Sequence, residues 1–320
     1  MSQATLLDIA KLNGNDVVVG LIEENLTSAP EIGIFPARTI RGTNYTTGIR
    51  TGFPSTGFRQ ANNGSTPSKS TFRQALVQAY IFGGVIQVDK AVGMAHEDGL
   101  AAFEMIESSG VVRSALIALG SQIWYGVTAD ANGFAGIKAS VAYSTAATAL
   151  VVNAAGSTAT TASSCYAVKF GTQDVGLVVG QGGSIELPPF TDQQIAGTTS
   201  GTWLPGRVSS LCAWMGLQIG NVNCAGRIAN LTEDSGKGLS DSLLAQLLAR
   251  FPVGYAPDAF FCSRRSARQL QISRTVVLNS GPGSAKIAGN VEAVAPWPTS
   301  AFGIPLYVTD SILNTDAIES

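Results

Sequence analysis

The stretch from residue 37 to residue 88 limits the possible folds more than any other. TNYTTGIRT reads as one strand and STFRQALVQAYIFGGVIQVD as a second, longer one. Between them, GFPSTGFRQANNGSTPSK is rich in Gly, Pro, Asn and Ser, the composition of an irregular tip. A two-stranded ribbon is marginal in water. A hairpin this long therefore needs support, either from its own body or from another chain. From Ala37 to Val88 its charge is also one-sided: it carries Arg38, Arg41, Arg50, Arg59, Lys69 and Arg73 and no Asp or Glu.

The segment after the hairpin has the opposite sign. HEDGLAAFEMIE brings Glu97, Asp98, Glu104 and Glu107, with no base before Arg113. Val112, Leu116, Leu119 and Ile123 fall on one stripe of a helix, and Leu100, Phe103 and Ile106 on a similar one. The pattern predicts a long helix over residues 95–124, interrupted by a kink or break at Ser108, Ser109 and Gly110. A basic ribbon beside an acidic helix start can set association. The ribbon could fold back on its own helix. The reading adopted is that it lies over the helix start of an adjacent subunit, so reversing Glu104 and Glu107 to Lys is expected to reduce assembly.

Ahead of the hairpin, residues 1–36 read as an arm. TLLDIAKL predicts one short helix, and a second begins at the N-cap residue Asn15 and runs through DVVVGLIEENL. Helices this short are marginal alone, so the arm must lie on something. After the long helix, residues 127–235 are poor in charge and rich in Gly, Ser, Thr and Val. SSCYAVKFG, DVGLVVGQGGSIEL and SLCAWMGLQIGNVNCAGRIANL read as strands of an irregular sheet. Ser240 is expected to cap a helix through DSLLAQLLARF, and Ser263 one through RRSARQLQI. DAFFCS and GIPLYVTDSI complete the strands. The class is mixed α+β.

Composition points toward an assembly. Of 320 residues, 45% are hydrophobic but only 13% are charged, about half the usual charged share of ~25%. Burying surface against neighbouring subunits is one way to keep such a chain in solution. The formal net charge of −2 gives no global field toward nucleic acid or membrane. No signal-peptide pattern opens the sequence, and no run approaches the length of a membrane span. Cys165, Cys212, Cys224 and Cys262 form no CxxC pair and are expected as buried, reduced thiols. These features suggest synthesis in the cytoplasm.

Residues for catalysis or metal binding do not assemble in the sequence. The one histidine, His96, is expected at a helix start or on the surface, and HEDGL fails the HExxH pattern because residue 100 is Leu. The neighbouring carboxylates Glu23–Glu24, Glu97–Asp98 and Glu233–Asp234 make no acid–base pair. SGKGLS and GPGSAK lack the glycines of phosphate and dinucleotide loops and read as turns. Arg264, Arg265 and Arg268 could bind phosphate at an inner surface, but read rather as a solvated helix face or an intersubunit salt-bridge set. No catalytic residue, metal site or cofactor is assigned, and the chain is read as a structural protein, not an enzyme.

The order of these elements resembles the major capsid proteins of tailed bacteriophages with the HK97 fold. LLDIAKLNGNDVVVGLIEEN looks like the family's arm, and RTIRGTNYTTGIRTGFPSTGFRQANNG like the opening and tip of its extended E-loop. ANGFAGIKASV is similar to the start of the axial (A) domain, PDAFFCSRRSARQL to that domain's strand and helix, and FGIPLYVTDSI to the closing strand. The resemblance implies an HK97-like capsid fold. Its parts would be an N-terminal arm (residues 1–36), an E-loop hairpin (37–88), a P-domain with its long spine helix (89–130), an A-domain with interleaved P-domain strands (131–302), and a closing strand with the C-terminus (303–320). It further implies self-assembly as pentamers and hexamers into an icosahedral shell around double-stranded DNA, in the virion, after assembly in the host cytoplasm. The expected partners are copies of the chain, a scaffolding protein, a portal protein, optionally a decoration or cement protein, and DNA held by non-specific contact, with no membrane. Alternatives are an encapsulin-type compartment shell, with the same fold around enzymes, and a secreted β-rich adhesin.

Overall fold

The computed structural model describes residues 4–13, 23–142, 150–183, 185–197, 199–278, 291–293 and 295–319. In chain order, α1 (Leu6–Leu12) and α2 (Glu31–Ile34) precede β1 (Ala37–Thr39), the ribbon strands β2 (Asn44–Gly52) and β3 (Thr71–Gln78), and β4 (Tyr80–Asp89). The single turn α3 (Lys90–Gly93) leads to the long α4 (Leu100–Tyr125), followed by α5 (Ile137–Ser140). Then come β5 (Val151–Asn153), β6 (Ser163–Val168), β7 (Val175–Val179), β8 (Ile185–Glu186), β9 (Thr191–Ala196), β10 (Trp203–Ile219) and β11 (Ala225–Leu231). The chain continues through α6 (Asp241–Arg250), β12 (Ala259–Cys262), α7 (Arg264–Arg274), β13 (Val276–Leu278), β14 (Val291–Ala293), β15 (Ser300–Ala301) and β16 (Ile304–Val308).

Two sheets organise the body. In the first, the order is β1-β7-β10-β4, with β8 and β9 also paired to the long β10. In the second, the order is β15-β16-β12-β6-β11-β5. Strands β6, β11 and β12 are buried along their whole length. Their alternating side chains therefore feed two cores. Tyr166, Val168 and Phe261 point toward the first sheet and the end of α4, where Trp124 stacks on Tyr166 at 4.9 Å. Cys165, Ala167 and Ile228 point the other way, against Leu244 and Leu247 of α6 and Leu270 of α7. A third cluster joins Ile9 of α1, Ile86 and Val88 of β4 and Phe103 of α4.

The local signals for helix starts operate as expected. Ser240 Oγ accepts the Leu243 amide and Ser263 Oγ accepts the Ser266 amide, capping α6 and α7. Thr5 and Asp8 form a reciprocal capping box on α1. The second arm helix falls partly on residues 14–22, which lie outside the described residues, and residues 23–29 have no regular structure.

Four expectations need correction. First, α4 runs unbroken through Ser108, Ser109 and Gly110. The serine hydroxyls bond back to the carbonyls of Glu104 and Ile106, so they do not compete with the helix. Second, the long strand expected over 70–89 is two strands with different partners: β3 pairs with β2, while β4 pairs with β10. Third, Cys212 is exposed, whereas Cys165, Cys224 and Cys262 are buried. It lies on the open face of β10 opposite Gly83, which has no side chain to cover it. Fourth, of the two places expected for His96 the surface is wrong: it lies at the start of α4, in the turn before it, but is buried against Phe103 with ring centroids 6.0 Å apart.

Candidate functional site, the ribbon and the acidic end of the long helix

The ribbon is regular from Asn44 opposite Gln78 to Gly52 opposite Thr71. Beyond it, residues 53–69 are exposed and form no helix or strand. Phe53 and Phe58 stand in solvent there, and Phe58 has its side chain fully open. Arg50 lies over the rings of Phe53 and Phe72, at 5.6 and 5.5 Å. Arg59 donates to the Asn63 carbonyl at 2.8 Å. Arg41, Lys69 and Arg73 are exposed.

Contacts with the body concentrate at the root. Ala79, the residue between β3 and β4, is buried and donates its amide to Thr43 at 2.7 Å. Tyr45 donates to Gln218 Oε1 of β10, and Arg38 lies over the Tyr45 ring at 4.3 Å. Burial pushes the Tyr45 hydroxyl above its ordinary pKa, and Arg38 offsets part of that.

The acidic set is not one free patch. Glu104 accepts from Arg207 Nε at 2.7 Å and from its Nη2 at 3.3 Å, in a pair inside this chain. Glu107 is half-buried, and burial together with nearby Asp8 raises its pKa. The Glu97 amide donates to Asn13 Oδ1 at 2.9 Å, which ties α1 to this corner. The Asp98 amide donates to His96 Nδ1 at 3.2 Å. Reversing Glu104 would therefore break an intrachain contact before it tested any intersubunit one.

Beside α4, an apolar groove of about 150 Å³ opens between Val112 and Leu116 of the helix, Phe82 of β4, Ile185 of β8 and Leu211 of β10. Val112, Leu116 and Ile185 are exposed hydrophobic residues along it.

Sequence reasoning missed a charged network under the C-terminal strap. Arg227 is only 1% exposed and donates through both terminal nitrogens to Glu319 at 2.8 Å. Lys138 bridges Asp316 at 3.2 Å and Glu319 at 3.3 Å. The expected arginine face of α7 is also more committed than a solvated one. Arg265 donates to the carbonyls of Thr161 and Leu231, and Arg264 pairs with Asp310. The SGKGLS turn is stapled from below, because Asp234 accepts from Thr158, Ser157 and Thr232, which holds its carboxyl well below the usual range. GPGSAK lies outside the described residues. Among the described residues there is no cluster suited to a metal ion, and no helix is long and apolar enough to cross a membrane.

The family model for major capsid protein GP7 matches residues 35–318. Among solved structures, a chain of bacteriophage Epsilon15 is similar with a TM-score of 0.72 at 19% identity, over 99% of this chain and 97% of that one. A likeness of that extent shows a shared fold. Weaker similarities include a chain of Mycobacterium phage Adephagia, with a TM-score of 0.46 at 10% identity over 71% of this chain and 98% of that one. The capsid of bacteriophage JBD30 gives 0.43 at 11% identity over 77% of this chain and 84% of that one. No curated protein matches. With a basic ribbon extended from a two-sheet body, and a family match over most of its length, this chain belongs to the major capsid protein GP7 family.

Proposed function

We propose that copies of this chain associate as pentamers and hexamers into the icosahedral shell of a tailed phage, enclosing double-stranded DNA. In this reading residues 1–36 are the arm, 37–88 the E-loop, 89–130 the spine-helix region of the P-domain, 131–302 the A-domain with interleaved P-domain strands, and 303–320 the closing segment. The observation that carries it is the ribbon tip. It holds two exposed phenylalanines and exposed basic residues, and its body contacts are at the root. A head-to-tail arrangement supplies what one copy lacks and closes by symmetry.

The tip of one copy would cover the apolar groove and acidic corner of the next. The groove supplies apolar area for Phe53 and Phe58, and Asp98 and Glu107 face Arg59 and Lys69 by charge. DNA inside such a shell needs no base readout, only a lining that does not repel it. A scaffolding protein and a portal complete the assembly in this reading, and a decoration protein is compatible with it.

Negative-stain electron microscopy of the expressed chain, with and without a co-expressed scaffold, tests the proposal. Closed particles are expected, and only small soluble species under both conditions would reject it. Particles containing protein cargo in place of nucleic acid would favour a compartment shell. Reversing Asp98 and Glu107 to Lys should lower particle yield most at low salt, where surface charges act furthest. Wild-type yield at low salt would remove the charge-pairing part.

A further inference from the structure

Residues 313–319 form a strap over β6 and β11, and they are held differently from the rest of the fold. Ile312 belongs to the first core, but no residue of the strap enters any of the three hydrophobic clusters. Leu313 is exposed and Ile318 only partly covered. Polar contacts hold the strap instead. Asp316 pairs main chain to main chain with Ala162 in both directions, at 2.9 and 3.2 Å. Asn230 engages the main chain of Glu319 with its side-chain amide: Oδ1 accepts the Glu319 N–H at 2.9 Å, and Nδ2 donates to the Glu319 carbonyl at 2.7 Å. The two acidic side chains face the body, Glu319 in the Arg227 fork and Asp316 against Lys138 and the Tyr125 hydroxyl. Ala317, between them, is exposed.

The seat under the strap is fixed by further bonds that do not involve it. Arg227 Nε donates to Ser164 Oγ at 3.0 Å, and its guanidinium lies 5.9 Å from the centre of the Tyr166 ring. Lys138 lies over the Tyr125 ring at 5.2 Å. Asn230 has a φ of 58° where β11 shifts register against β6, and its Nδ2 also donates to Asn153 Oδ1 at 3.0 Å. Asparagine tolerates that left-handed conformation better than most residues. The seat therefore offers a main-chain partner at Ala162, an amide at Asn230 that matches a peptide unit, and two cations that engage carboxylates three residues apart.

We propose that this seat is a peptide-binding site for an acidic segment with the spacing Asp-x-x-Glu, and that the same segment of a second copy can replace the chain's own strap in it. Main-chain hydrogen bonds give affinity in this mode of recognition, and the charged pockets give specificity. A strap without apolar anchors opens at a lower free energy than the cores do. Exchanging an identical element between copies remakes the contacts that opening breaks, so the exchange needs no new interface. The site does not depend on the shell reading.

Fluorescence anisotropy tests it on the full-length chain, with a labelled, amidated peptide of residues 313–319, LNTDAIE, as the probe. Saturable binding is expected to the Asp316→Ala/Glu319→Ala variant, whose own strap has lost both acids. Binding to the wild-type chain should be weaker by about tenfold or more, because the seat is already filled in most molecules. A peptide with alanine at both acidic positions should not bind, and adding Arg227→Ala to the double variant should remove binding. Hydrogen exchange on the wild-type chain decides the matter without a variant. The amides of Asp316 and Glu319 should exchange ahead of those of Cys165 and Phe261 in the core strands, and faster still as salt is raised. The proposal is overturned if the strap amides exchange together with the core ones, if the folded double variant does not bind the peptide, or if it binds the alanine-substituted peptide equally well.

Discussion

Arg227 sits in the middle of β11, sealed from solvent, and its charge is tolerable there only because of what surrounds it. Glu319 engages both terminal nitrogens, and Ser164 Oγ accepts from Nε at 3.0 Å. Removing one partner of a buried pair leaves the other charge unpaired, at a cost of about 3–5 kcal/mol. Glu319 is partly exposed and keeps Lys138 at 3.3 Å, so Arg227→Ala should lower the unfolding free energy in urea denaturation by less than about 3 kcal/mol, and a loss near zero would mean the strap contributes nothing. Burial pushes the Glu319 carboxyl up, but the contacts with Arg227 and Lys138 outweigh it and hold the pKa below its ordinary value. A carboxyl depressed in the folded state adds stability that is complete above its unfolded pKa and is lost as pH falls through the folded one. Stability of Glu319→Gln should therefore change less than that of wild type as pH drops from about 5 to about 3. Equal acid slopes would exclude an ionic clasp. None of this was legible in AGRIANL, which reads as an ordinary buried strand. The partner lies 92 residues away, beyond any local periodicity.

At the scale of elements, α4 shows where a local signal gives way to packing. Two serines and a glycine in sequence suggest a break, yet the 26-residue helix continues and spans about 39 Å. Its far end is held by burial, with Leu119, Ile123, Trp124 and Tyr125 in the core. Trp124 Nε1 also donates to the buried Glu31 carboxylate at 3.2 Å, whose other oxygen accepts from Thr309 at 2.7 Å. This junction joins the arm, the long helix and the segment after β16. Gly110 makes no demand on space, because a Cβ built there would meet nothing within 4 Å. Gly110→Ala should thus stabilise the chain by about 0.5–1 kcal/mol, through the lower backbone entropy lost by alanine. That amounts to a rise of about 2 °C in melting temperature, and a fall would mean the helix needs a flexible point after all. Caps at Ser240 and Ser263 were readable because capping involves neighbours three residues apart. The change of partner at Ala79 was not, because which strand β4 joins is decided by β10, more than a hundred residues later.

For the whole molecule, the two features that suggested assembly, few charges and an extended ribbon, meet at the loop tip. The ribbon strands were legible from alternation and turn composition, while the stacked arginines and the Gln218 anchor at the root emerged only from tertiary geometry. That anchor makes the tip separable from the fold. Its turn pairs internally, through Arg59 with Asn63 and Ser68 with the Ser55 carbonyl, while the three cores gather their residues from elsewhere. Replacing residues 54–68 by a short Asn-Gly turn should therefore leave the ribbon register and the melting temperature near wild type, because loop shortening changes closure entropy only slowly. Particle formation should be lost, because the shortened ribbon no longer reaches a neighbouring copy. Melting temperature and electron microscopy on the same preparation separate the two effects. A folded variant that still forms closed particles would show that the tip is not the element that joins subunits. A variant that no longer folds would show that the loop supports its own body, and the assignment of the ribbon to intersubunit contact would fall with it.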